Sequence, residues 1–283
     1  MAAGRKPIAA EHMYCLGNIR HRRHPAAGWR EPKPMKPSLA FAFALPLSIP
    51  ALALPAAAQT TIDSAGLTIA ATPAVASDYL FRGISQTRNR PAIQLTLDAQ
   101  HESGFYAGAF ASNVTFPGSN ARQELDLLAG YRLAIGNFGL DLGGVWYTYP
   151  GYDKPDGSYA YNYAEAVAKG SYTLDPVKFV GTAAWSPDFY FESGSAVYLE
   201  GGADVTLPLG FTLSGRYGHQ WIDRNPRYGA PDYANWSVAV SREVLAGVLL
   251  SVGYYDTDLS KNDCFAGTKY CDARALVMLS RPF

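Results

Sequence analysis

The chain has 283 residues, with 24 Lys and Arg set against 24 Asp and Glu, 48% apolar residues and five histidines. That balance hides a division: residues 1–58 carry eight of the bases and two of the acids, leaving 16 bases against 22 acids, about six net negative charges, in residues 59–283. An acidic remainder offers no footprint for nucleic acid, and its only histidines, His101 and His219, are thin material for a metal site or a general base.

Residues 1–34 are basic and Pro-rich and lack an apolar run, so they are expected to be an upstream extension rather than a secreted start. Met35 opens a more regular segment: one Lys, an apolar stretch over residues 39–54, then Ala56 and Ala58 in the small-x-small spacing of a signal-peptidase site. The expectation is a signal peptide over residues 35–58 and a mature chain over 59–283. The competing reading is a transmembrane anchor. Pro46, Pro50 and Pro55 interrupt the segment, which is also short for the ~20 residues of a spanning helix.

Residues 75–94, VASDYLFRGISQTRNRPAIQ, combine a strand, a polar loop and the start of a second strand. Alternation places Val75, Ser77, Tyr79 and Phe81 on one face and Asp78, Leu80 and Arg82 on the other. The loop runs over residues 82–91, after which Ile93, Leu95, Leu97 and Ala99 alternate with Gln94, Thr96, Asp98 and Gln100. Such a strand needs two environments: a protein core against water, or lipid against a wet interior.

The run SDYLFRGISQT, with the Pro-Ala-Ile-Gln strand and then HESGFYAGAFASNV, resembles the Gcw_chp family of proteobacterial outer-membrane proteins, the TorF-type porins. The resemblance spans residues 67–283. It implies an outer-membrane β-barrel and brings no catalytic residues with it.

Alternation recurs along the rest of the chain. Leu125, Leu127 and Ala129 alternate with Glu124 and Asp126; Leu140 and Leu142 with Asp141; Ala164, Ala166 and Ala168 with Glu165 and Lys169; Leu199 and Ala203 with Glu200 and Asp204; Leu213, Tyr217 and Trp221 with Arg216 and Gln220. Residues 178–185 carry little charge beyond Lys178, so their phase stays open. The last strands are expected at 236–242, 248–255 and 274–283.

Twelve strands result, joined by connections that alternate strictly between three- or four-residue turns and longer Gly-, Pro- and Tyr-rich loops. An even-stranded transmembrane antiparallel up-and-down β-barrel does this, with short periplasmic turns and long extracellular loops. No segment reads as a plug domain or a lumen-filling helix. Trp146, Trp185, Trp221 and Trp236 all fall near long loops, where an aromatic girdle at the outer lipid interface belongs; Tyr147, Tyr149, Tyr254 and Tyr255 are expected to join it. The carboxy-terminal Phe283 looks like a signal for the outer-membrane assembly machinery, although Arg281 stands where such signals carry an apolar residue.

Cys264 and Cys271 lie in one polar run. In an oxidising envelope compartment a disulfide closing that loop is the expected pairing; a two-Cys metal site is the alternative, with no nearby His to complete it. No cofactor is indicated.

Function then rests on the inward face and the loops. The expected pore-lining charges are Asp78, Asp98, Glu124, Asp126, Asp141, Glu165, Glu200 and Asp204 against Arg82, Arg132, Lys169, Arg216 and Arg242. Asp78 and Arg82, four apart and ~13 Å along a strand, cannot pair with each other; Asp98 is the expected partner of Arg82, and Arg242 or Arg274 that of Asp78. One reading is a passage for small polar solutes or ions with a mild cation preference; another is a closed barrel braced by lumenal salt bridges. A third class is a lipid hydrolase using His219 with Ser214 or Ser241, although no nucleophile-elbow spacing supports it. A fourth is a receptor or adhesin presenting Tyr152, Tyr159, Tyr161, Tyr163, Tyr228 and Tyr233.

Overall fold

The computed structural model describes residues 60–283; the upstream extension, the Met35 start and the signal peptide lie outside the described residues. Twelve strands follow one another: β1 (Leu67–Ala76), β2 (Ala92–His101), β3 (Phe105–Asn113), β4 (Gln123–Ile135), β5 (Phe138–Thr148), β6 (Tyr163–Leu174), β7 (Val177–Ser186), β8 (Ala196–Thr206), β9 (Thr212–Ile222), β10 (Tyr233–Leu245), β11 (Val248–Thr257) and β12 (Arg274–Ser280). Each pairs antiparallel with the next, and β1 also pairs with β12 through Ala74–Ser280, Val75–Leu279 and Ala76–Met278, which closes the sheet. An open edge would leave backbone groups unpaired in hydrocarbon, and closure removes it.

The seam is completed by both ends of the described chain. Phe283 exchanges backbone hydrogen bonds with Ala71 at 2.7 and 2.9 Å, Arg281 N–H donates to Pro73 O at 3.1 Å, and a short strand, Thr60–Ile62, pairs with Leu67–Ile69. Pro282 therefore sits where no ladder bond is demanded of it.

Short turns and long loops segregate to opposite ends, as their lengths foretold. At the first short turn Gly104 has φ +98°, and a Cβ there would lie 2.5 Å from Arg132 O, so the turn packs against β4 only as glycine. The outer face is a belt of exposed apolar side chains, among them Ile93, Leu97, Leu127, Leu142, Phe179, Leu199, Val252 and Val277. A soluble monomer does not carry an apolar surface that encircles it; lipid is the solvent that suits it. Trp146, Trp185 and Trp221 are exposed on this belt near the long-loop end, and Trp236 shares their face. Residues 178–185 take a definite phase, with Phe179 and Trp185 outward and Ala184 inward.

Two expectations need correction. The first strand is Leu67–Ala76, not residues 75–82, and the residues after it turn into the barrel. Of the four tyrosines assigned to the girdle, Tyr147, Tyr149 and Tyr255 are buried inside: Tyr147 follows the outward Trp146, so alternation aims it at the lumen. Only Tyr254 faces out.

Candidate functional site

Residues 77–91, expected to finish a strand and loop outside, instead enter the lumen. Leu80–Phe81 and Ile84–Ser85 pair as a two-stranded hairpin with Arg82 and Gly83 at its tip. The piece that enters is neither a domain nor a helix, but one tight turn, which the strand-by-strand reading did not place in the lumen.

Most positions of the DYLFRGISQT run have a physical role. Asp78, buried at the base, accepts from Ser85 Oγ at 2.7 Å, Thr87 Oγ1 at 2.6 Å and the Tyr79 backbone N–H at 2.8 Å, while its other oxygen accepts from Arg274 of β12 at 2.8 Å. Arg274 also donates to the carbonyls of Lys269, Tyr270 and Asp272, tying hairpin, wall and last loop together. Tyr79 donates to Glu124 of β4 at 3.1 Å and packs on Phe110 of β3. Phe81 meets Tyr147 of β5 edge-on.

At the tip, Arg82 donates to Glu165 of β6 at 2.7 Å and Gln220 of β9 at 2.5 Å, with its guanidinium 4.3 Å from the ring centre of Tyr198 on β8 and 5.8 Å from that of Phe189. Gly83 has φ +82°, and a Cβ there would lie 2.6 Å from Thr257 Cγ2 of β11 and 3.1 Å from Asn235 Cβ of β10. From its root on β1 the hairpin thus crosses the lumen and touches most of the encircling wall.

Beyond the hairpin the long loops converge on an aromatic mouth, a cavity of about 280 Å³. Its floor includes Phe81 and Ile84, and every loop sends side chains to it: Phe116, Tyr161, Phe189, Tyr228 and Phe265 come from the other five. The tyrosines weighed as a contact surface or a constriction face one another here. Tyr152 stacks on Tyr161 at 3.8 Å, Tyr163 on Tyr147 at 4.3 Å, and Tyr233 is fully buried, while Arg227 lies over Tyr159. Burial pushes the phenols of Tyr149 and Tyr190 well up and that of Tyr228 to about 12, so the mouth is uncharged at its rings at neutral pH. Cys264 and Cys271 form the disulfide, with Cα atoms 6.0 Å apart, and brace the loop that supplies Phe265 and Tyr270.

Toward the short turns the interior stays polar. Arg132 reaches Asp98 at 2.9 Å and Asp141 at 3.3 Å and lies over the Tyr106 ring, which itself donates to Asp141. Lys169 stands across from Asp141 in register. Arg216 pairs with Asp204 at 2.6 Å, and Glu200 accepts from Tyr198 at 2.9 Å. Glu124 and Asp126, two apart on β4, are both buried near Tyr79.

The structure brings most of the expected lumenal charges together. Arg82 pairs with Glu165 rather than Asp98, because it rides on the hairpin to the far wall; Asp78 pairs with Arg274, one of the two partners expected for it. Arg242 departs from the set: in unbroken alternation with Trp236 it lies on the outer face, exposed, with its guanidinium over Phe211. Tyr198 and Gln220, being uncharged, lie outside the expected set of lumenal charges, and Arg274 enters the expectations only as a partner of Asp78. Tyr198 and Gln220 share the inward phase of Glu200 and Arg216, and that phase was the available signal.

His219 faces outward against Trp221, ring centres 4.3 Å apart, whereas Ser214 and Ser241 occupy the inward face, so no Ser–His pair forms. Among the described residues no three His, Cys, Asp or Glu gather as metal ligands.

Fold and site together define a transmembrane β-barrel whose lumen is entered by its first long loop. The sequence profile of Gcw_chp, a bacterial protein family of unknown function, matches residues 60–283, and the chain belongs to that family. The NanC porin structure is similar, with a TM-score of 0.50 at 8% identity over 75% of this chain and 97% of that one. The KdgM porin in complex with disordered oligogalacturonate has a TM-score of 0.48 at 11% identity, over 76% and 98% of the two chains. The COG4313 outer membrane channel from Pseudomonas putida F1 has a TM-score of 0.46 at 15% identity, over 81% and 99%. At such identities the likeness is one of fold. No curated protein matches the sequence.

Proposed function

We propose that the chain is a porin-like channel of the bacterial outer membrane that passes small polar solutes or ions, and that residues 77–91 hold it shut in the conformation described. In this reading the signal peptide over residues 35–58 directs export and Phe283 addresses the assembly machinery. The supporting observation is the contrast between wall and occlusion. The interior wall beneath the hairpin is lined by charged and polar side chains, and what blocks it is one short segment rooted on β1 and held by side-chain contacts. The preference is mildly for cations, because the inward acids outnumber the inward bases.

A second reading, a permanently closed barrel, is favoured by the depth of the Arg82–Glu165 pair, whose side chains are 9% and 1% exposed. Planar-bilayer recordings separate the two. With residues 79–86 replaced by a short Gly-Ser linker, a channel shows persistent, cation-selective current where the intact chain is silent or flickers. A folded, heat-modifiable barrel that stays silent after this replacement overturns the channel.

A further inference from the structure

Apart from Phe81 of the hairpin itself, whose ring centre lies 4.6 Å from the guanidinium, the groups that grip Arg82 belong to the wall and loops. Glu165 stands on β6, Tyr198 on β8, Gln220 on β9, and Phe189 in the loop before β8. They are held in place independently of their guest. Gln220 spends its amide N–H groups on the carbonyls of Val197 and Trp221, both at 3.1 Å, which leaves its oxygen aimed into the lumen. Tyr147 donates to Glu165 at 3.1 Å and orients the carboxylate. The result is a preformed cage of one carboxylate, one amide oxygen and two π faces. That set suits a flat cation with in-plane N–H donors, since planar donors match the two oxygens while the rings take the faces.

The occupant is tethered and its backbone is strained: Arg82 has φ +48°, a left-handed conformation for a non-glycine residue. The aromatic mouth leads to the same place, because Phe189 lines the mouth cavity and also flanks the Arg82 guanidinium.

We propose that this cage is a solute-binding site for guanidinium-bearing organic cations, that Arg82 is its built-in competitor, and that a solute taking the cage releases the hairpin. The inference rests on the channel reading and deepens it. Seated hairpin and bound solute exclude each other, so a ligand that binds only the vacated cage shifts the barrel toward its open form by mass action.

The test uses Arg82→Ala in the otherwise intact barrel, with millimolar methylguanidinium as probe and methylurea as its uncharged counterpart. Methylguanidinium is expected to raise the melting temperature of Arg82→Ala in detergent and the open probability of the intact chain, and methylurea to do neither. Adding Glu165→Gln is expected to weaken both responses by about tenfold or more, the scale of one charge-assisted contact. Equal responses to the two probes, or undiminished binding after Glu165→Gln, overturn the cage. A rise in the Arg82→Ala melting temperature with methylguanidinium, beside a hairpin-excised barrel that stays silent, keeps the cage and sinks the channel reading; a conducting barrel indifferent to methylguanidinium sinks the cage alone. Should Arg82→Ala fail to assemble, Arg82→Gln carries the same measurements with the side-chain volume largely kept.

Discussion

The lumen contains arginine–carboxylate pairs of the same chemistry in two different settings. Toward the long loops Arg82 and Glu165 meet at 2.7 Å with side chains 9% and 1% exposed; toward the short turns Arg132 and Asp98 meet at 2.9 Å with side chains 25% and 30% exposed. The first pair is desolvated, so losing one partner strands a buried charge, and the attraction between the two acts as a fastening. The second pair is partly exposed, so solvent screens it and makes either partner cheaper to lose. Burial alone does not mark the latch, since Arg216 and Asp204 on the wall are 5% and 16% exposed; Arg82 is a latch because it is buried and carried on a hairpin.

The largest effect expected from breaking this contrast is at Glu165→Ala. Leaving Arg82 uncompensated costs the seated hairpin about 3–5 kcal/mol, enough to turn rare openings into a mostly open channel, read as open probability in single-channel records. An unchanged record would mean that the hairpin does not depend on its tip. Asp78→Ala is expected next. It removes the acceptor of four hydrogen bonds at the base and leaves Arg274 with backbone and Asn89 contacts. Protease cleavage within residues 77–91 should accelerate while the barrel keeps its heat-modifiable migration.

Gly83→Ala sharpens the comparison by size rather than charge. A methyl group 2.6 Å from Thr257 Cγ2, on a backbone at φ +82°, is expected to unseat the tip by about 1–3 kcal/mol. Thr257→Ser in the same chain should recover part of that loss, and no recovery would place the clash elsewhere. Smallest is Arg132→Ala, expected to change stability by less than about 1 kcal/mol. Its mark is on selectivity: with Asp98 and Asp141 left unopposed, the reversal potential of the hairpin-excised channel in a salt gradient moves toward cations. A fixed reversal potential would put these residues off the conduction path.

Much of the barrel was readable in advance because its signals are local. Alternation such as Leu125, Leu127 and Ala129 against Glu124 and Asp126 needs only neighbouring residues, and the contrast of turn and loop lengths needs only counting. The tryptophans beside long loops lent a separate sign of the girdle. The lumenal site was half readable: inward charges could be enumerated strand by strand, yet Arg242 entered the set in error and Tyr198 and Gln220 stayed out. Tyr147 and Tyr149 were misplaced because a tyrosine beside a loop suits the girdle and the mouth equally well, and only strand phase decides between them.

From its own residues the chain determines a closed antiparallel wall, apolar without and charged within, since strand period and loop length are encoded between near neighbours. Tertiary structure alone decided that the first loop turns inward. Its anchors lie far along the chain, with Glu165, Gln220 and Arg274 at separations of 83, 138 and 196 residues from their hairpin partners. Those groups meet only once the sheet has curled shut and brought opposite walls within reach of one side chain.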